Sequence, residues 1–156
     1  LEKEIITKSD YFSSTLDANC EDKEASLYAA TAMYYLAMVT NGKEKSHYVD
    51  LSQKAAYICL SWYYTWDVPF AQGQMLGDVN FKSRGWGNVS VENNHIDVFI
   101  FEFATVLDWL AKEKNNARFA DFAAVIKSSM LLGSSVGCWG HINGSSPIKK
   151  RRKAES

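Results

Sequence analysis

Apolar positions recur at three-to-four spacing in four stretches of the chain, and each such stretch predicts a helix. The first helix is expected from about Asp22 to Thr40. One of its stripes runs through Ala25, Tyr28, Ala32, Tyr35 or Leu36, and Val39. A second runs through Leu27, Ala30, Met33 or Tyr34, and Met38. A helix apolar on two faces is packed on two sides. Asn41-Gly42 then reads as a stop signal. The second helix is expected from about Leu51 to Tyr64, with Asp50 as N-cap and Gln53 three residues on. Ala55, Cys59 and Trp62 mark one face, and Ala56, Leu60 and Tyr63 the other.

The third helix is expected from about Asp97 to Lys112. Val98, Phe101, Thr105 and Asp108 form one row, and Ile100, Ala104, Leu107 and Leu110 another. The fourth is expected from Ala117 to Leu132, capped by Asn116 and ended by Gly133. Phe119, Phe122, Val125 or Ile126, and Met130 form its stripe. About ten residues join the first two helices and about four join the last two, lengths that suit antiparallel αα-hairpins. Between the hairpins, residues 65–96 lack helical periodicity, and loops of that length are often functional. No long strand is expected, only short ones inside this loop, for example around Val89 to Val91. The predicted fold class is therefore all-α: a lead-in at 1–20, two hairpins over 21–132, and a tail at 133–156.

Composition narrows the picture further. The chain is 47% hydrophobic, 22% charged and 13% aromatic, as a globular domain is. Only 9 Gly and 2 Pro exclude a collagen-like or Pro/Gly-rich chain. No uninterrupted apolar run reaches the roughly 18 residues a membrane span needs, so no membrane partner is expected. A formal net charge of -1 argues against nucleic acid as a partner. Lys149, Lys150, Arg151, Arg152 and Lys153 form a basic run, read as a disordered, solvated tail. Removing those five cations takes the net charge from -1 to -6. Cys20, Cys59 and Cys138 have no paired spacing, so neither a zinc site nor a disulfide framework is indicated. No signal-peptide pattern is present, and the compartment stays open. Leu1 in place of Met suggests a processed chain or a piece of a longer one.

Candidate chemistry gathers in the long loop. Of the 5 Trp, 8 Tyr and 8 Phe, nine fall between residues 62 and 101. Trp66, Phe70 and Trp86 stand outside helical spacing. A pyranose stacks its apolar C–H face on a ring and pairs its hydroxyls with polar groups, so aromatics among polar side chains suit a sugar. The alternative is that these rings anchor the loop. The segment from Arg84 to Asp97 holds a guanidinium, an indole, three amides, an imidazole and two carboxylates. Asp67, Glu92 and Asp97 form the acidic pool for catalysis, although Asp97 also suits a helix cap. Trp66 and Trp86 are candidate stacking platforms. Arg84, Asn93, Asn94 and His95 are candidate substrate binders. Asp67, just beyond the second helix, needs a cationic partner against the helix dipole, and Arg84 is the candidate. No HxH or HExxH, nucleotide-binding glycine loop or GxSxG elbow occurs, so no metal or cofactor is expected.

The wording of Asp22-Lys23-Glu24-Ala25-Ser26-Leu27-Tyr28-Ala29-Ala30 and of Lys54-Ala55-Ala56-Tyr57-Ile58-Cys59-Leu60-Ser61-Trp62 resembles the six-hairpin, (α/α)6-toroid glycosidases. So does the loop running Tyr64-Thr65-Trp66-Asp67-Val68-Pro69 to Ser83-Arg84-Gly85-Trp86 and Asn93-Asn94-His95-Ile96-Asp97. The resemblance covers about residues 15–132. It implies part of a toroid and a glycoside hydrolase acting on an oligo- or polysaccharide with paired carboxylates. A polysaccharide lyase is the neighbouring alternative, with His95 or Tyr64 as base. A helical-repeat module that binds protein is the non-enzymatic one. Six hairpins need several hundred residues and this chain holds two, so exposed helical faces are expected to drive self-association.

Overall fold

The computed structural model describes residues 2, 23–88, 96–97 and 101–135. Those residues form an all-α fold of two helical hairpins. Helix α1 spans Lys23–Val39 and α2 Gly42–Leu60. A short α3, Met75–Asp78, lies in the crossover. Two-residue strands β1 (Gly87–Asn88) and β2 (Ile96–Asp97) pair antiparallel. Helix α4 spans Phe101–Glu113 and α5 Ala117–Ser135.

Long-range contacts fix the directions. Late in α2, Cys59 lies against the Lys23 carbonyl at the start of α1, with Ser52 Oγ donating to the Ala30 carbonyl midway (2.9 Å). The first hairpin is therefore antiparallel. Lys45, early in α2, pairs with Glu113 at the end of α4 (2.6 Å). Just past α2, Tyr63 stacks on Phe103 near the start of α4, centroids 5.5 Å apart. Successive helices thus run up, down, up and down. The core lies where α4 meets both members of the first hairpin: Leu27, Ala30, Ala55, Ala56 and Cys59 meet Phe103, Leu107 and Leu110, with Phe119, Ala123 and Ile126 from α5.

Several expected boundaries move. Helix α2 begins at Gly42 rather than Leu51, so two residues, not ten, join α1 to α2. Asp50 is not a cap but a mid-helix residue whose carboxylate takes the Lys114 ammonium. Helix α1 ends at Val39, three residues before the expected stop, and Gly42, at φ +59, is the first residue of α2. Helix α2 stops at Leu60, because Tyr63 leaves helical pairing to bridge Gly87. Asp97 neither caps nor begins a helix; it lies in β2 opposite Gly87. In α4, Ala104, Leu107 and Leu110 are buried, whereas Thr105 of the other row is exposed. Gly133 does not end α5, which continues to Ser135. The expected strand at Val89–Val91, the lead-in apart from Glu2, and the tail from 136 onward lie outside the described residues. Among the described residues no helix is long and apolar enough to cross a membrane.

Candidate functional site

The crossover between the hairpins folds back over one end of the helices. Residues 62–64 run antiparallel to 85–88. Tyr64 N–H donates to the Trp86 carbonyl (2.8 Å), Gly85 N–H to Tyr64 (2.9 Å), and Asn88 N–H to Trp62 (3.0 Å). On its other edge Gly87 faces Asp97, and Asn88 faces Ile96. The Tyr64 hydroxyl donates to Asn88 Oδ1 (3.0 Å). The start, middle and finish of the loop therefore meet along β1.

A second stitch positions Trp66 and Asp67. The buried Ser83 hydroxyl accepts from Val68 N–H (2.7 Å) and donates to the Trp66 carbonyl (3.2 Å). One Asp67 carboxylate oxygen accepts from Arg84 N–H (3.1 Å), and the other lies 3.9 Å from the Lys82 ammonium. The expected pairing of Asp67 with the Arg84 side chain is thus replaced by the Arg84 main chain and Lys82. The dipole reasoning behind it falls away as well, because α2 ends seven residues before Asp67.

The two candidate platforms differ. Trp66 is 64% exposed and presents an open ring, whereas Trp86 is 8% exposed. Trp86 packs on Phe81 (5.7 Å), which packs in turn on Phe70 (6.1 Å), so these three rings form a small core inside the loop. Arg84 is exposed, and no carboxylate among the described residues lies within salt-bridge distance of it. Below the ribbon, buried Lys23 sets its ammonium 5.4 Å from the centroid of Tyr63. The loop is fastened to α5 by Ser129, whose hydroxyl meets the carbonyls of Arg84 and Val125.

Asp67 and Asp97 are brought to one end of the molecule. Asp67 is tied to Arg84 and the Asp97 backbone to Gly87. Three peptide links separate those anchors, which holds their Cα atoms within about 11 Å. Glu92, Asn93, Asn94 and His95 lie outside the described residues. Ser83, Asn88 and Lys23 lie in segments that stand out in the sequence, but spacing gives none of them a role, and only the fold gives each its contacts. A separate groove of about 380 Å³ runs between α2 and α5, with Tyr57, Leu60, Phe119 and Phe122 among its walls and Asn116 and Arg118 at its rim. No cluster of three or more His, Cys, Asp or Glu suited to a metal occurs among the described residues. No family model, curated protein or solved structure matches the chain.

Proposed function

We propose that this chain supplies two hairpins of an (α/α)-toroid glycoside hydrolase and carries part of its sugar site. The carrying observation is the convergence of an exposed indole, a half-exposed carboxylate, an exposed guanidinium and the Asp97 backbone at one end of the helical hairpins. Trp66 would stack on a pyranose face, and Arg84 would bind a hydroxyl or a sugar carboxylate. Paired carboxylates in glycoside hydrolases stand roughly 5 to 9.5 Å apart. Anchors for Asp67 and Asp97 within about 11 Å are compatible with that spacing. One carboxyl group, drawn from Asp67, Glu92 and Asp97, protonates the glycosidic oxygen. A second activates water or attacks the anomeric carbon.

The test is titration of neutral and acidic oligosaccharides against the wild type and Trp66→Ala, with turnover followed in Asp67→Asn and Glu92→Gln. Loss of the indole should weaken binding by about 1–3 kcal/mol, the scale of one large aromatic contact. A carboxylate variant should bind normally and lose turnover. Normal turnover in Glu92→Gln would leave Asp67 and Asp97 as the pair. Failure of the folded protein to bind any glycan would overturn the proposal.

A further inference from the structure

The outward face of α1 is apolar where a solvent-facing helix should be polar. Its inward face, Leu27, Ala30, Met33 and Ala37, is buried in the core. On the opposite side Tyr28 is 58% exposed, Tyr35 58%, Leu36 39% and Val39 77%, with exposed Ala32 between them. These positions recur every three to four residues, so they form one straight stripe about 16 Å long. From Ala25 to Val39 the helix carries no charged side chain. The exposed positions of α2 and α5 instead include Lys43, Glu44 and Lys54, and Arg118, Asp121 and Lys127.

We propose that this stripe is a self-association surface, on which α1 of one copy packs against α1 of a second. The stripe lies along a convex helix face, which suits another helix better than a small ligand. Ala32 sits between larger side chains and lets two backbones approach, as ridge-into-groove packing requires. A charged partner would lose its hydration against this surface and find no counter-charge there. A two-fold pair needs the stripe to match only itself, and a charge-free stripe does so without like-charge repulsion. Complete burial of the exposed parts of these residues would remove on the order of 500 Å² per copy and about 1,000 Å² per pair, the lower limit for an interface and the size of a weak, concentration-dependent pair.

Sedimentation velocity of the full chain across a dilution series tests this. The wild type should pass from monomer to dimer as concentration rises. Tyr35→Lys and Val39→Lys, measured separately, should each raise the dimer Kd at least tenfold, while Lys54→Glu on α2 should leave it unchanged. Because both altered positions face solvent, circular dichroism should show unchanged helix content. Should Tyr35→Lys lose helix, the milder Tyr35→Ser replaces it. A wild type that stays monomeric throughout, or variants that dimerise like the wild type, would overturn the proposal. The surface lies on α1, apart from Trp66 and Asp67, so glycan binding can fail while dimerisation succeeds, and the reverse.

Discussion

Gly85 meets two demands at once. Its φ is +85, and a Cβ there would lie 2.6 Å from Ser129 Oγ, 2.9 Å from Val125 Cγ1 and 3.0 Å from the Val125 carbonyl oxygen. The Ser129 hydroxyl can rotate, but the Val125 carbonyl belongs to the α5 backbone and cannot. Gly42 shares the positive φ, at +59, yet has nothing within 4 Å of the corresponding position. The pair separates backbone strain from crowding. Gly42→Ala should cost about 1–2 kcal/mol, the left-handed penalty alone. Gly85→Ala should add about 1–3 kcal/mol of overpacking to that penalty. Urea unfolding of both variants measures the difference, with an unchanged m-value as the sign of an intact two-state transition. Equal losses would mean that the loop does not press on α5. The two tryptophans teach a related lesson. Trp66 and Trp86 look alike as loop indoles outside helical spacing, but a ring chain through Phe81 and Phe70 buries only the second.

At the scale of elements, α5 starts where its cap sets it. Asn116 Oδ1 accepts from Arg118 N–H (3.1 Å), and the Asn116 carbonyl accepts from Phe119 N–H (3.2 Å). Asn116→Ala should therefore cost about 1 kcal/mol, read as a lower thermal midpoint with the same folded spectrum. This cap was legible because Asn precedes an apolar stripe that must face the core. The start of α2 was not. Residues 42–47 are almost wholly solvent-exposed, so no apolar periodicity marks them, and their helix rests on backbone propensity and the Lys45–Glu113 pair. Tyr63 departs from the pattern for the opposite reason. Its spacing fits α2, but stacking on Phe103 and bridging to Gly87 pull it out of the helix. All four long helices could thus be read from the pattern, although in α1 burial accounts for only one of the two expected stripes: Leu27, Ala30 and Met33 are buried, whereas Tyr28, Ala32 and Val39 face solvent, so α1 is not packed on two sides within the chain. The candidate site could be named only as a set of residue types, because Ser83, Arg84 and Gly87 act through main-chain pairings that spacing does not encode.

The two ends of the whole molecule are held by different forces. At the loop end, buried hydroxyls and main-chain bonds tie the crossover to both hairpins. At the other end, two ion pairs join α2 to the α4–α5 corner: Lys45 with Glu113, and Asp50 with Lys114. The Asp50 side chain is 57% exposed and the Lys114 side chain 26%, so water screens their attraction. A double-mutant cycle through Asp50→Ala and Lys114→Ala should give a coupling of about 0.5–1 kcal/mol at low salt. In 1 M salt the Debye length falls to about 3 Å, and most of the coupling should vanish. The loop end should behave otherwise, since neutral hydrogen bonds between buried groups do not respond to ionic strength in this way. The cost of Gly85→Ala should therefore be the same in both salts. Exchanging the charges, Asp50→Lys with Lys114→Asp, should recover much of what either reversal alone loses. A coupling that survives high salt would show that Asp50 and Lys114 interact through packing rather than charge. A coupling of zero at low salt would mean that screening and side-chain ordering cancel the attraction of this exposed pair, and the antiparallel placement of α2 against α4 would then rest on Lys45 with Glu113 and on Tyr63 with Phe103.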